Sequence, residues 1–179
     1  HVHIPFYNVD ESYKEFSVVL TAPSKTFNLA GLQTSNIIIA NEKLRKVYQE
    51  TMNRYGVNEP NFLGIIACMT AYNECELWVD EMLEYVYDNF TYFDEFLKEN
   101  LPHIHLVKPE GLYLGWVDFR ECGLNKDELE KTMLEKAGLW LDEGYIFGTG
   151  GEGFERFNLA IPRSVLEDAC QRLLKAFGK

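Results

Sequence analysis

The amino-acid sequence predicts a mixed chain, of α/β or α+β class, in which helices and strands alternate. Long segments carry apolar residues at helical spacing, whereas short apolar and β-branched runs bounded by Pro, Gly or Asn are typical of strands. Because both kinds of segment interleave along the 179 residues, the pattern favours a mixed class over an all-helical or an all-strand chain.

Two apolar runs near the amino end predict strands. Residues 16–22 are β-branched and apolar, so we expect a strand that is buried on both faces and ends before Pro23. Residues 35–40 predict a second strand. The segment between them is a loop of small and polar residues that carries Lys25.

Three helices are predicted next. The first covers residues 42–55, with Asn41 as N-cap and Gly56 as C-cap. The second, residues 61–74, is apolar on nearly all sides, which predicts burial in a core or at a subunit interface. The third and longest helix covers about residues 77–100 and is long enough to connect two lobes.

The last third of the sequence alternates strands and helices. A strand pair is expected at residues 104–107 and 113–118, and further strands at 139–141 and 154–161. A capping box of Asn125 and Glu128 predicts the start of a helix that ends at Gly138. A second capping box, of Ser164 and Glu167, predicts the start of the last helix.

The charge of the chain limits its partners. Seventeen Lys and Arg against 28 Asp and Glu give a net charge of −11, so nonspecific binding to nucleic acid or to an anionic membrane is not expected. No apolar run reaches the length of a membrane span. Four cysteines without a C-x-x-C pair favour a cytoplasmic location, and no metal site is predicted.

Lys25 is the first candidate for chemistry. It follows a predicted strand, at the position where α/β proteins place ligands, and a desolvated lysine amine can form a Schiff base with a carbonyl compound. The neighbouring Ser24 offers a hydroxyl to an anion. Taken alone, the pattern favours the alternative, an ordinary solvated lysine in a turn.

Arg156 is the second candidate. It lies on a predicted strand after the glycine-rich residues 148–153, and a guanidinium suits bidentate binding of a carboxylate. Taken alone, the pattern favours the alternative, an ordinary ion pair with one of the 28 acidic residues. The glycine run lacks the G-K-[ST] ending of a P-loop, so a phosphate loop of that type is not predicted.

Residues 22–33, APSKTFNLAGLQ, resemble the lysine segment of fold-type I pyridoxal-phosphate enzymes of the aminotransferase class I/II family. The resemblance is greatest to its MalY/PatB branch, the cystathionine β-lyase-like C–S lyases. It continues in order along nearly the whole chain, through HIPF at residues 3–6, YLGWVD at 113–118, GYIFG at 144–148, RFNLA at 156–160 and Pro162-Arg163.

The resemblance implies a cofactor and roles for three residues. Lys25 would bind pyridoxal 5′-phosphate covalently and act in catalysis, Ser24 would neighbour the phosphate, and Arg156 would bind the α-carboxylate of an amino acid substrate. Tyr113 and Asn28 would lie near the site. The implied fold is α/β: the end of the large domain in residues 1–80 and the small carboxyl-terminal domain in residues 81–179, entered through the long helix.

The implied reaction is cleavage of a sulfur amino acid to a thiol, pyruvate and ammonia, and the alternative is transamination. Many aminotransferase relatives carry Arg eight residues after the lysine, where this chain has Gln33, as the MalY/PatB branch does; this favours the lyase. The resemblance also implies a homodimer in the parent enzyme.

The chain begins with His1, and the resemblance starts partway through the family pattern, so we expect a carboxyl-terminal part of a longer enzyme. The isolated chain is then expected to be an inactive folded remnant. In that case apolar area should be exposed on residues 16–22, 35–40 and 61–74, and the chain should self-associate.

Overall fold

The computed structural model describes residues 3–57 and 59–178. The chain separates into two compact units, residues 1–81 and 82–179, which are called unit 1 and unit 2 below. The sequence placed the division between residues 80 and 81, and its assignment of the two parts to a large and a small domain stays a prediction.

Unit 1 contains a short two-stranded antiparallel sheet and helices. The strands are β1 (Val19–Thr21) and β2 (Asn36–Ile38), with Leu20 opposite Ile37. Both are shorter than predicted. The expectation of a first strand buried on both faces is wrong for this chain, because Leu20 is 68% exposed and β1 pairs with β2 as its one partner among the described residues.

The predicted helices of unit 1 are confirmed. Helix α1 (Glu42–Tyr55) begins at Asn41, whose side chain accepts hydrogen bonds from the first-turn amides, and it ends at Gly56 in the left-handed conformation. Helix α2 (Phe62–Glu74) begins at the N-cap Asn61. Helix α3 (Glu76–Asn100) crosses the boundary between the units.

The apolar helix α2 is exposed over most of its surface. Phe62 is 71% exposed and Met69 is 60% exposed. The buried residues of unit 1, within its described part, are Pro23, Ile39, Gly64, Cys68 and Ala71. The expected apolar exposure on the two strands and on this helix is therefore confirmed.

Unit 2 is built on a four-stranded antiparallel sheet. Its strands are β3 (His105–Leu106), β4 (Leu114–Asp118), β5 (Asp142–Glu143) and β6 (Phe154–Asn158), in the spatial order β3-β4-β6-β5. The strand predicted at residues 139–141 is wrong: the two paired residues are Asp142 and Glu143, because pairing with β6 selects them in preference to the apolar run before them.

Helices cover one face of this sheet. Helix α4 (Lys126–Lys131) has the predicted capping box of Asn125 and Glu128, continues as a π-helix over Thr132–Ala137 and ends at Gly138. Helix α5 is Arg163–Phe177. The capping box predicted at Ser164 is absent because the helix already begins after Pro162, which leaves Ser164 inside the first turn.

The core of unit 2 lies between its helices and the sheet. Phe93 of α3 is fully buried, with its ring 5.2 Å from that of Phe157 on β6. Asn89 is also fully buried, and its amide donates to the carbonyl oxygens of Leu159 and Ile161 at 2.9 Å. Because alternate residues of a strand point to opposite faces, the other face carries Trp116, Asp142, Phe154 and Arg156.

Among the described residues, no helix combines the length and the apolar character that crossing a bilayer requires.

Candidate functional site

Lys25 lies within two overlapping turns that follow β1. The amide of Phe27 donates to the carbonyl of Pro23 at 2.9 Å, and the amide of Leu29 donates to the carbonyl of Ser24 at 3.0 Å. Asn28 takes the left-handed conformation with φ of 54°, which Asn tolerates better than most residues. The loop therefore has a defined backbone around Lys25.

Buried apolar groups attach this loop to the rest of unit 1. Pro23 is buried, and the Phe27 ring lies 5.4 Å from Tyr72 and 6.3 Å from Trp78, measured between centroids. Beside Phe27 is an open apolar cavity of about 320 Å³, lined also by Leu29, Ala67, Thr70, Ala71, Cys75 and Trp78. The loop is thus supported from one side by packing.

The functional groups of the loop face solvent in this chain. Lys25 is exposed and Ser24 is half-buried. Within residues 3–57 and 59–178, no hydrogen bond or ion pair reaches the Lys25 amine. The described residues therefore leave this amine open to solvent.

Arg156 is held by a carboxylate on the neighbouring strand. Nε and Nη2 of Arg156 donate to Oδ2 of Asp142 at 3.1 and 2.5 Å. The two residues are direct cross-strand partners of β6 and β5, which brings their side chains to the same face of the sheet. The ion pair that the sequence left open as an alternative is thus present, and it leaves part of the guanidinium exposed.

An aromatic ring confines the same guanidinium. Phe147 lies with its ring centroid 4.6 Å from Cζ of Arg156, at cation–π distance. Phe147 ends a short 3₁₀-helix, Gly144–Phe147. The segment after it folds back so closely that a Cβ on Gly151 would meet the carbonyl oxygen of Gly144 at 1.9 Å. The glycine-rich run thus permits a close backbone approach in the loop that carries Phe147.

A second arginine on the same sheet face offers a comparison. Arg120 donates from Nε and Nη2 to both oxygens of Asp118 at 2.7–3.1 Å, and its Cζ lies 4.7 Å from the centroid of the Phe154 ring. The Arg120 guanidinium lowers the pKa of the Asp118 carboxyl through these hydrogen bonds. Arg120 is 63% exposed and Arg156 is 31% exposed, so Arg156 is the more confined of the two.

A carboxyl group is buried on the opposite face of β6. Glu155 is 2% exposed, and burial raises its pKa to about 7, assisted by the negative charges of Glu143, Glu130 and Asp142. Below about pH 7 the protonated, uncharged carboxyl therefore fits the apolar side of the sheet.

The predicted site residues fall in both units. Lys25 and Ser24 belong to unit 1, with Asn28, whereas Arg156 belongs to unit 2, with Tyr113. Sequence reasoning missed Asp142 and Phe147 as partners of Arg156. The run GYIFG at residues 144–148 was noted, but the pairing of a two-residue strand with β6 leaves no periodic signal in the sequence.

No metal centre is evident in the described parts of the chain, where no three His, Cys, Asp or Glu side chains lie together suitably for an ion.

Comparison with curated proteins finds relatives along the whole chain. This chain is 37% identical over 178 residues to the cystathionine β-lyase PatB of Bacillus subtilis, and the match covers 99% of this chain and 46% of PatB. It is 32% identical over 175 residues to the protein MalY of Escherichia coli, covering 97% of this chain and 44% of MalY. The chain thus spans a little under half the length of these relatives. No protein-family model matches it.

Solved structures give the same result. A pyridoxal-phosphate-bound protein from Clostridium difficile 630, described as an aminotransferase, matches with a TM-score of 0.96 and 38% identity, over 99% of this chain and 46% of that protein. Cystalysin from Treponema denticola, which contains pyridoxal 5′-phosphate, matches with a TM-score of 0.94 and 40% identity, over 98% of this chain and 45% of the cystalysin chain.

These similarities extend from the Lys25 loop to the last helix and agree in sequence and in fold, and pyridoxal phosphate is the cofactor of the group. The chain therefore belongs to the MalY/PatB branch of the fold-type I pyridoxal-phosphate-dependent enzymes, of which it represents the carboxyl-terminal portion.

Proposed function

We propose that this chain is part of a pyridoxal-phosphate-dependent C–S β-lyase of the cystathionine β-lyase type, which converts sulfur amino acids to a thiol, pyruvate and ammonia. The observation that carries the proposal is the 37% identity to the cystathionine β-lyase PatB over 99% of the chain, including the loop with Lys25. The proposed setting is a homodimer in the cytoplasm.

The residues of the Lys25 loop fit part of the cofactor. A primary amine on a loop of defined backbone suits covalent attachment of the cofactor aldehyde, and the adjacent half-buried Ser24 hydroxyl suits one phosphate oxygen. The cofactor, when bound, supplies an electron sink for the negative charge that develops at the substrate Cα. The remaining phosphate and ring partners must come from outside the residues described here.

Two side chains carry the proposed chemistry. Lys25 accepts the proton from the substrate Cα as general base, which requires its amine to be neutral and shielded from water. Arg156 binds the substrate α-carboxylate and so orients the Cα–H bond. Replacing Arg156 with Ala is expected to raise KM by roughly 100-fold, or about 3 kcal/mol, because a charge-assisted pair is lost.

Transamination is the second candidate, because aminotransferases are also among the relatives. The aspartate aminotransferase of Pyrococcus horikoshii is 24% identical over 90% of this chain, which is lower than the identity to PatB. The test is to assay cystathionine for release of pyruvate and ammonia, and to assay amino transfer that depends on a keto acid. Transfer without pyruvate release would replace the lyase proposal.

The role of Lys25 is tested by borohydride reduction of the cofactor-loaded enzyme followed by mass spectrometry of peptides. We expect a stable cofactor adduct on the peptide that contains Lys25, its loss in Lys25→Arg, and its retention in the control Lys43→Arg on α1. An adduct on another lysine would contradict the assignment.

The exposure of Lys25 supports a third candidate, a folded piece without activity of its own. The same reduction applied to the 179-residue chain tests it, and we expect no adduct there, because a single amine and a hydroxyl provide few contacts for the cofactor. An adduct as strong as that of the longer enzyme would reject this candidate.

A further inference from the structure

The geometry around Arg156 leaves one edge of its guanidinium unused. We propose that Asp142 and Phe147 are positioning residues that hold Arg156 with its Nη1–Nη2 edge open, so that this edge meets the carboxylate of the amino acid substrate. The proposal rests on the proposed function and deepens it, because it says which residues orient Arg156 for binding of the substrate carboxylate.

Some hydrogen-bond donors of the Arg156 guanidinium have no acceptor among the described residues. A guanidinium has five N–H donors, and a carboxylate binds it in two-point fashion either at the Nε–Nη2 edge or at the Nη1–Nη2 edge. Asp142 takes the first of these with a single oxygen, Oδ2. Within the described residues no acceptor contacts Nη1, and this leaves both hydrogens of Nη1 and one of Nη2 for a second carboxylate.

The sheet register also supports the proposal. Trp116, Arg156 and Asp142 are successive cross-strand partners on β4, β6 and β5, so their side chains form a row on one face. The Phe147 ring lies over the guanidinium at 4.6 Å and contacts the Trp116 ring edge to face at 5.7 Å. The plane of the guanidinium is thereby restricted before any ligand arrives, which reduces the entropic cost of binding a carboxylate.

The pair of Arg120 and Asp118 uses the same Nε–Nη2 edge of the guanidinium and differs in how far the arginine is confined. Asp118 engages Arg120 with both of its oxygens, and the arginine is a neighbour in sequence whose guanidinium is largely exposed. Asp142 instead accepts both hydrogen bonds from Arg156 with one oxygen, and the two residues lie on adjacent strands. Both pairs leave the Nη1–Nη2 edge without an acceptor among the described residues. They differ in confinement, because Arg156 is 31% exposed and is held by a carboxylate on the adjacent strand, whereas Arg120 is 63% exposed and is held by a carboxylate two residues away.

The direction of the change in KM in Asp142→Asn distinguishes two roles of Asp142, orientation of Arg156 and electrostatic repulsion of the substrate carboxylate. Asp142 carries a negative charge near the proposed carboxylate site, so its neutralisation by itself would favour an anionic substrate. If Asp142 instead orients Arg156, the isosteric change Asp142→Asn weakens substrate binding despite the lost repulsion. The two roles therefore predict opposite changes in KM.

The test uses the cofactor-loaded enzyme that contains this chain, with cystathionine as substrate. Asp142→Asn is expected to raise KM about 5- to 10-fold and to change kcat by less than about 2-fold, because the reacting groups are intact. The dissociation constant of glycine, which has the carboxylate but no leaving group, is expected to rise by a similar factor. Phe147→Leu should raise KM by about 3-fold through loss of the cation–π contact.

The matched control is Asp118→Asn, which disrupts the neighbouring Arg–Asp pair on the same sheet face and should leave KM unchanged. A double-mutant cycle adds a readout that a general structural role would not produce: in an Arg156→Gln background, Asp142→Asn is expected to have no further effect on KM. The amide analogue of the substrate, which lacks the carboxylate, should likewise show no response to Asp142→Asn.

Three results would overturn the proposal: a lower or unchanged KM in Asp142→Asn, an equal increase in Asp118→Asn, or a full Asp142 effect in the Arg156→Gln background. Failure of the proposed function looks different. In that case the unsubstituted enzyme releases no pyruvate from cystathionine, or Arg156→Ala leaves KM unchanged, and the positioning role falls with it.

Discussion

The two units of the chain treat their apolar residues in opposite ways. Unit 2 buries a continuous apolar cluster between helices and sheet, with Phe93, Leu101, Leu159 and Cys170 fully enclosed. Unit 1 has apolar segments of similar length, yet Leu20, Phe62 and Met69 are at least 60% exposed. The difference teaches that apolar pattern predicts which elements form, while burial depends on the presence of a second surface.

This contrast has a functional meaning for the proposed site. Arg156 lies on a sheet that its own unit completes and supports. Lys25 lies on a loop whose support comes from one side, and its amine faces solvent. We therefore expect carboxylate binding by Arg156 to be organised by unit 2 alone, and cofactor binding at Lys25 to need further protein surface.

The largest expected effect contrasts two phenylalanines. Phe93→Ala in the core of unit 2 should lower the free energy of unfolding by about 3–5 kcal/mol, because it removes a fully buried ring and leaves a cavity. Phe62→Ala, at a position 71% exposed on α2, should change it by less than about 0.5 kcal/mol. Denaturant unfolding followed by circular dichroism measures both, and equal losses would show that unit 1 has a comparable core.

A smaller expected effect is the pH dependence of the free energy of unfolding that the buried Glu155 of unit 2 causes. The pKa of Glu155 is raised from 4.5 to about 7, so between these two pH values the folded state keeps a proton on Glu155 that the unfolded state releases. The stabilisation is complete below about pH 4.5 and is lost as the pH rises through about 7.

Glu155→Gln is the corresponding substitution. It should remove this decline and stabilise the chain by about 1–3 kcal/mol at pH near 8, relative to its parent, because no buried charge then forms. Unfolding titrations at several pH values measure the slope, with Glu99→Gln at an exposed position of α3 as the control. An unchanged slope in Glu155→Gln would assign the pH dependence to other groups.

The smallest effect on folding concerns the exposed apolar surface of unit 1. Leu20→Lys should change the free energy of unfolding by less than about 0.5 kcal/mol, because the side chain is 68% exposed. It should nevertheless reduce self-association of the 179-residue chain, measured by sedimentation velocity at several concentrations, because a charge disrupts an apolar contact surface. A chain that stays monomeric before the substitution would contradict the expected self-association.

Local signals predicted most of the helices correctly. The Asn41 and Gly56 caps of α1 and the capping box of Asn125 and Glu128 depend on residues within a few positions of each other, and all are found as expected. The prediction failed at Ser164, where a neighbouring proline already begins the helix, and at residues 139–141, where a distant strand selects its partner.

The sequence by itself determined the mixed fold class, the helices and the family, because caps, periodicity and the APSKTFNLAGLQ segment are local and are read directly from the residues. Only the tertiary structure decided that Asp142 and Phe147 confine Arg156 and that pairing with β6 selects Asp142 and Glu143 as a strand. Both outcomes depend on which surfaces meet, and contacts between residues far apart in the chain leave no periodic trace in it.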